Sequence, residues 1–562
     1  MPSMSGSSSA PLRVVIVGGV AGGMSTATRL RRLDEHAQIT VLEKSGHVSY
    51  ANCGLPYFVG GVIEHEEDLL LQTPERLFDR FRLDVRVHHE VTSIDPVART
   101  VTVAVRTAGG ESHDEVLPYD RLVLSPGATP IRPPLPGFDR VRVLRTVEDA
   151  AALAHDVDDR PATAVVIGAG FIGIETAENL CHAGIAVTLV EAAPQVLTPL
   201  DAEMAIRVEH ELVRHGVEVV TGVAVTEITD TEVLLGDGRR IPADLVVGSI
   251  GVRPDTRLAA MADLELGPTG GIAVSHTGQT SNPDIYAVGD AVEKVDQVSG
   301  ATSLIALANV ANRQGRRVAD HIAGHAVHPS PSLGTAIVKV FDLTAAMTGW
   351  NERRLLAAGR DHRVVHSHPM NHAGYYPGAE QMSLKMLFDP ATGEILGAQA
   401  VGGTGVDKRI DVLATAMAGG ITAPALADLE LAYAPPFSSA KDPVNMLGYM
   451  SENVLSGACD VVSAAGLDAM CDQGWTLVDV RTASEHAAGH IPRSVNVPLD
   501  ELRERLPELG DAPLVVYCQV GQRGHTATSM LHEEGRLARN LDGGYLTWRD
   551  WTAAQHHTPP AV

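Results

Sequence analysis

The sequence predicts an α/β protein with two Rossmann-like dinucleotide-binding domains, then an α+β domain and a small C-terminal α/β domain. Three observations carry this. Two apolar runs, Val14 to Val17 and Ala164 to Ile167, each enter a glycine-rich turn, a helix-period segment and a second apolar run ending in an acid, Glu43 or Glu191. That order of strand, turn, helix, strand and acid is the βαβ dinucleotide unit. From Ser330 to about Asn453 strands and helices alternate with no nucleotide motif. After a weakly patterned stretch around Ser456 to Ser463, a separate unit begins, with strands expected at Thr476 to Val480 and Leu514 to Tyr517.

The first unit turns through Gly18-Gly19-Val20-Ala21-Gly22-Gly23, with a helix expected over Met24 to Leu33 and a strand over Gln38 to Glu43. Val20 interrupts the strict glycine spacing. The second fingerprint, Gly168-Ala169-Gly170-Phe171-Ile172-Gly173, is complete and leads into a helix expected over Ile174 to Ala183 and a strand over Ala186 to Glu191. Such glycines allow a tight turn and close backbone approach to pyrophosphate, and the helix N-terminus offers N–H donors and the positive dipole end. Glu191 stands where a carboxylate bonds both ribose hydroxyls and repels a 2′-phosphate, favouring NADH over NADPH. By the same logic Glu43, with Lys44 beside it, belongs at the adenosine end of the first nucleotide.

Two units imply two nucleotides side by side, the usual arrangement for moving hydride from nicotinamide to flavin. Thr280 to Asp290 reads as a short strand running into Gly289-Asp290, similar to the ribityl-binding motif of flavoproteins with two dinucleotide units. Asp290 would take a ribityl hydroxyl of FAD.

Length, charge and cysteine usage bound the rest. With 562 residues the chain exceeds one hydrophobic core, and roughly three to four domains are expected. A net charge of −25 argues against nucleic-acid or anionic-membrane partners, which need a broad basic face. The five cysteines form no C-x-x-C pair and no disulfide framework, which fits a reducing cytoplasm and makes zinc or another metal unexpected. Residues 1–10 are small and polar and are expected to form a disordered tail, and no apolar run approaches the roughly 20 residues of a membrane span.

Cys53 stands in Ser49-Tyr50-Ala51-Asn52-Cys53-Gly54-Leu55-Pro56-Tyr57 with no second cysteine nearby. A flavoprotein that reduces disulfides usually passes electrons through a cysteine pair. A lone thiol must therefore find its redox partner outside the chain.

Residues from about Leu12 to Asn453 resemble the coenzyme A-disulfide reductase branch of the pyridine nucleotide-disulfide oxidoreductases. The first glycine turn, Asn52-Cys53-Gly54-Leu55-Pro56-Tyr57 and the run Ala432 to Pro443 carry the resemblance. The C-terminal unit resembles a rhodanese domain through Asp479-Val480-Arg481, Gly489-His490-Ile491-Pro492, Cys518 to Arg523 and Asp542-Gly543-Gly544. The fusion resembles the coenzyme A-dependent NADH persulfide and polysulfide reductases.

The resemblance implies a layout of residues 11–147 and 276–329 as the FAD domain, 148–275 as the NAD(P)H domain and 330–453 as the dimerisation domain of a homodimer. A linker over 454–463 and a rhodanese domain over 464–562 complete it. It implies that Cys53 lies against the flavin and attacks a coenzyme A persulfide or disulfide. Gly18, Ala21, Gly22, Gly23, Glu43, Lys44 and Asp290 are implied to hold FAD, and Gly168, Gly170, Gly173 and Glu191 to hold the nicotinamide nucleotide. Ser25, Arg29 and Arg32, at i, i+4 and i+7 and so on one helix face, are implied with Ser49 and Asn52 to form the coenzyme A channel. A solvated helix face is the alternative reading. A basic family position just past Asp79-Arg80 is Phe81 here, with Arg82 beside it.

Tyr375 and Tyr433 match tyrosines that reach across the dimer to the sulfur-exchange site, and Asn312 and Lys441 match substrate-side positions. Cys518 opens a loop whose N–H groups, with Arg523 and the next helix dipole, would lower the thiol pKa and cradle a persulfide. Cys181, Cys459 and Cys471 carry no motif and read as structural. The competing function is an NADH oxidase or peroxidase cycling Cys53 through sulfenic acid, whose relatives carry a histidine where Ala21 stands. A sulfur carrier or sensor using only Cys518 is the other alternative.

Overall fold

A computed structural model of the chain describes residues 10–107 and 112–556; the expected N-terminal tail lies almost wholly outside the described residues. The first sheet has five parallel strands, in the order Ile285–Ala287, Arg121–Leu124, Arg13–Val17, Gln38–Leu42 and Asp84–Arg86. The chain thus returns after the second nucleotide unit to complete the sheet of the first. Apolar runs such as Val14 to Val17 form its centre because both faces are covered.

The helix after the first turn is Ala21–Leu33, three residues longer than expected, so Gly22 and Gly23 are helical. Packing explains why. A Cβ on Gly23 would fall 1.9 Å from the Gly18 carbonyl oxygen, and one on Gly22 would fall 2.8 Å from a Val288 methyl. The second helix likewise starts early, at Phe171–His182, with Gly173 pressed on the Gly168 carbonyl. Its sheet is the parallel set Glu218–Val220, Ala186–Val190, Thr163–Ile167 and Leu245–Gly248.

The third sheet is antiparallel: Ala336–Val340, Leu343–Gly349, Ile395–Gly402, Ser383–Phe388 and Arg363–Ser367. The C-terminal sheet is parallel, with Leu514–Tyr517 between Ala538–Leu541 and Thr476–Asp479. The segment expected as a linker, 454–463, has regular structure only near its two ends. Helix Pro443–Leu455 runs into it, and Val461–Val462 is an edge strand paired with Ala538–Leu541. The C-terminal unit is seated on the rest of the chain, its helix Gly544–His556 lying against helix Ala202–Arg214 with Arg207 bonded to Asp550 at 2.9 Å. No helix among the described residues is long and apolar enough to cross a membrane.

Candidate functional site

Cys53 lies in a single turn, Asn52–Gly54, leading into the short helix Leu55–Val59. Ser49 takes a left-handed backbone, φ 51°, so that its N–H donates to the Gly19 carbonyl at 2.8 Å. The Cys53 segment is thereby fastened to the first glycine turn. With its amide oriented to satisfy both groups, Asn52 donates to the Arg145 carbonyl at 2.9 Å and accepts from the Arg145 guanidinium at 3.1 Å. Arg145 also reaches Asp290 at 3.0 Å, joining the Cys53 turn to the Gly-Asp turn. Sequence reasoning missed Arg145, which follows no motif and meets its partner only through the fold.

Cys53 is solvent-accessible, yet the protein around its sulfur pushes the thiol pKa up, chiefly by desolvation and then through Glu175, while Arg145 pulls it down. Glu175 stands on helix Phe171–His182 and accepts a hydrogen bond from the Tyr57 hydroxyl at 3.2 Å. Burial pushes its own carboxyl up to about 7. The second nucleotide unit therefore supplies a titrating group beside the first unit's thiol, and Glu175 too was absent from the sequence reading.

Both nucleotide cradles suit dinucleotides. Neither helix N-cap, Val20 nor Gly170, carries a side-chain cap, which leaves first-turn N–H groups for pyrophosphate oxygens. A Cβ on Gly170 would meet nothing within 4 Å, so the backbone there is open to a close ligand. Buried Glu43 accepts from Gly19 N at 2.8 Å and Ser45 N at 2.9 Å. Glu191 does the same with Ala169 N at 2.7 Å and Ala193 N at 2.8 Å. Each acid is fixed at a strand end, where the ribose is expected, and these residues fit FAD and a nicotinamide nucleotide.

Ser25, Arg29 and Arg32 share a helix face, but the expected cationic stripe is thinner than its sequence. Arg29 bonds Asp320 at 2.7 Å, so its charge is already matched, while Arg32 is exposed. Ser25 donates to Asn312 at 2.7 Å, bringing two expected substrate residues together. Arg82 ends helix Pro74–Phe81 in a left-handed conformation and stacks over Phe78. Tyr375 and Tyr433, 76% and 49% exposed, place their hydroxyls 3.1 Å apart. Among the described residues that is the only hydrogen bond either hydroxyl makes. Lys441 places its ammonium 5.9 Å from the centre of the Tyr449 ring.

Cys518 follows strand Leu514–Tyr517 and is buried. Its loop ends at Gly521, φ 92°, ahead of helix Gln522–Glu533. Arg523 faces Cys518 but is not its dedicated partner, because Glu485 holds the guanidinium through two bonds of 2.8 and 2.6 Å. That pairing holds the Glu485 carboxyl down at about 2. The loop is braced by Arg481, which donates to Gln519 at 3.0 Å, and by Tyr545 N, which donates to the Cys518 carbonyl at 2.8 Å. Cys181 donates weakly to the His215 carbonyl, and burial pushes Cys459 up to about 11.

Comparison with known proteins agrees with both halves. The family model of the pyridine nucleotide-disulphide oxidoreductases matches residues 12–315, its dimerisation-domain model matches 335–443, and the rhodanese-like domain model matches 463–550. A coenzyme A disulfide reductase of Staphylococcus haemolyticus is 35% identical over 446 residues, covering 79% of this chain and all of that relative. The crystal structure of reduced CoADR-RHD from Bacillus anthracis has a TM-score of 0.94 at 45% identity, covering 96% of this chain and 98% of that one. A NAD-dependent persulfide reductase from A. fulgidus has a TM-score of 0.89 at 36% identity, covering 96% and 100%.

Proposed function

The chain belongs to the pyridine nucleotide-disulphide oxidoreductase family, and from that premise we propose that it uses NADH, through FAD, to reduce coenzyme A persulfide, polysulfide or coenzyme A disulfide at Cys53. In this reading it works as a homodimer, residues 11–147 with 276–329 hold FAD, 148–275 hold NADH, and the C-terminal domain carries sulfane sulfur on Cys518. The observation that carries the proposal is the accessible, unpaired Cys53. The sulfur that completes its disulfide comes from the substrate.

Bound FAD supplies the passage of two electrons from reduced nicotinamide to a disulfide. The chain's residues do the rest. The Cys53 thiolate attacks the coenzyme A sulfur of the persulfide, a Cys53–S–S–CoA bond forms, and hydrosulfide leaves with the electron pair of the broken S–S bond. Two electrons then return Cys53 and coenzyme A as thiolates, NADH being oxidised. Coenzyme A disulfide follows the same course with a second coenzyme A thiolate leaving. Arg145 holds the Cys53 turn against Asp290, and its charge favours the thiolate. Tyr375 and Tyr433 offer hydroxyl protons to the departing thiolate. Ser25, Arg32, Ser49, Asn312 and Lys441 line the coenzyme A path, with Arg29 shared between Asp320 and phosphate.

Anaerobic NADH turnover with each of the three substrates, compared with oxygen consumption in air, tests the reading. Faster oxygen reduction than turnover of any coenzyme A substrate would replace it with the oxidase.

A further inference from the structure

His366 lies on strand Arg363–Ser367 of the third sheet, outside the C-terminal domain, and is 7% exposed. Its backbone N–H donates to Asp542 Oδ1 at 3.0 Å and its Nδ1 meets Asp542 Oδ2 at 2.6 Å. On the other side Nε2 meets Glu203 Oε1 at 3.1 Å. With a carboxylate at each ring nitrogen, both bonds form only when the ring carries both protons. Asp542 opens the Asp542-Gly543-Gly544 turn, which is wedged between His366 and the Cys518 loop. A Cβ on Gly543 would fall 2.8 Å from the His366 Cβ, and one on Gly544 would fall 2.4 Å from the Cys518 carbonyl oxygen, 2.8 Å from Gly521 N and 3.0 Å from Val520 N.

We propose that His366 is a positioning residue for sulfur transfer at Cys518. By gripping Asp542 it presses the two glycines onto the loop that presents the Cys518 thiolate and its N–H cradle, so the flavoprotein body completes the sulfurtransferase site. This rests on the reading of Cys518 as the sulfur carrier. In the assayed reaction the Cys518 thiolate attacks the sulfane sulfur of thiosulfate, and sulfite leaves with the electron pair. Cyanide then takes the sulfur from the persulfide as thiocyanate and restores the thiolate.

The groups around the ring give the dependence its sign. Asp542 faces it from the C-terminal domain, Glu203 from helix Ala202–Arg214 and Lys385 from strand Ser383–Phe388, with Asp201 and Glu352 bound to Lys385 at 2.9 and 2.6 Å behind. His368, two residues on, meets Thr547 at 2.7 Å and Ser383 at 2.8 Å and is kept neutral by burial, with Arg207 and Arg549 nearby. Burial opposes charge on His366, but the two carboxylates prevail and lift it to about 9. The ring therefore keeps both protons well above the ordinary histidine range, and as pH rises through about 9 it can no longer hold both carboxylates, which weakens the grip on Asp542.

The test measures thiosulfate:cyanide sulfur transfer and NADH-dependent reduction of the bound flavin on the full-length, FAD-loaded protein from pH 6 to 10.5. In wild type, sulfur transfer that disappears in Cys518→Ser should fall above pH about 9 while flavin reduction shows no matching limb. His366→Ala should lose about tenfold in sulfur-transfer kcat, the scale of a small misplacement of a reacting group, with flavin reduction unchanged. His366→Asn, which can still donate to Asp542, should recover most of the rate without the alkaline limb. Arg207→Ala loosens the same interface away from the turn and should change kcat by no more than about twofold.

Wild-type sulfur transfer that survives Cys518→Ser would overturn the carrier reading and this proposal with it. Cys518-dependent transfer that is untouched by His366→Ala, or lowered as much by Arg207→Ala, overturns the positioning role alone. If His366→Ala fails to retain FAD, the alkaline limb of wild type against His366→Asn decides.

Discussion

Tyr57 donates its hydroxyl hydrogen to Glu175 across 3.2 Å, and this bond joins the Cys53 segment to the helix of the second nucleotide unit. Because burial and neighbouring Glu178 push the Glu175 carboxyl up to about 7, its charge changes in the physiological range, and that charge raises the Cys53 thiol pKa. Glu175→Gln keeps an acceptor for Tyr57 and removes the charge. The thiolate fraction at pH 8 should rise, and alkylation of Cys53 by iodoacetamide in the oxidised holoenzyme should quicken about threefold, the scale of one screened charge interaction. An unchanged or slower rate would remove Glu175 from the electrostatics of the thiol.

The same carboxyl bears on stability. A group whose folded pKa lies above its unfolded value contributes stability fully present below the unfolded pKa, near 4.5, and lost as pH rises through about 7. Glu175→Gln should therefore melt higher than wild type at pH 8, by about 2 °C, and show no such gain at pH 4.5. Equal shifts at both pH values would point to packing instead of ionisation.

Cys53→Ser separates hydride transfer from sulfur chemistry. The serine preserves the turn fastened through Asn52 and Arg145, so FAD should stay bound and NADH should still bleach it. Turnover of coenzyme A persulfide and disulfide should fall to background, since no other accessible thiol stands in that segment. Persistent turnover would place the reacting sulfur elsewhere.

Much of this architecture was legible because glycines report backbone constraint. The φ of 100° at Gly18 and the contact of Gly23 with its carbonyl leave a trace in one-dimensional spacing. The same glycines misled the helix starts, because a glycine needed for close packing inside a first helical turn looks like one needed for the turn before it. Cys53, Glu43 and Glu191 were legible through local motifs. Arg145, Glu175 and His366 were not. Arg145 and Asp290 are 145 positions apart, and His366 and Asp542 176 apart, so only the assembled sheets make them neighbours. The partner of Arg29 is hidden in the sequence for the same reason, since Asp320 pairs with it from a distant helix.

Glu191 offers a test of nucleotide choice. Its carboxylate is held at the strand end by the N–H groups of Ala169 and Ala193, and in the proposed reading it bonds ribose hydroxyls and repels a 2′-phosphate. NADH should exceed NADPH in kcat/KM by roughly an order of magnitude or more, and Glu191→Gln should narrow the gap chiefly by lowering KM for NADPH. Equal kcat/KM values in wild type would contradict the assignment.

The last prediction separates the two modules. Cys518 is buried at the end of its strand, and its loop is closed by Tyr545 N and by Arg523, which Glu485 already holds. The thiolate is the one group in that loop able to carry sulfur covalently. Cys518→Ser should therefore abolish sulfur transfer from thiosulfate, while NADH oxidation with coenzyme A persulfide or disulfide, which reaches Cys53 by diffusion, should stay within about twofold of wild type. Polysulfide turnover should slow if sulfur is handed from Cys518 to the flavin site, because the carrier that loads it is gone. The paired assay is thiocyanate formation and NADH oxidation, each on wild type and variant with equal FAD content. Loss of NADH oxidation with the small coenzyme A substrates in a folded, FAD-loaded variant would show that the two cysteines act in series and that the division of labour drawn here is wrong.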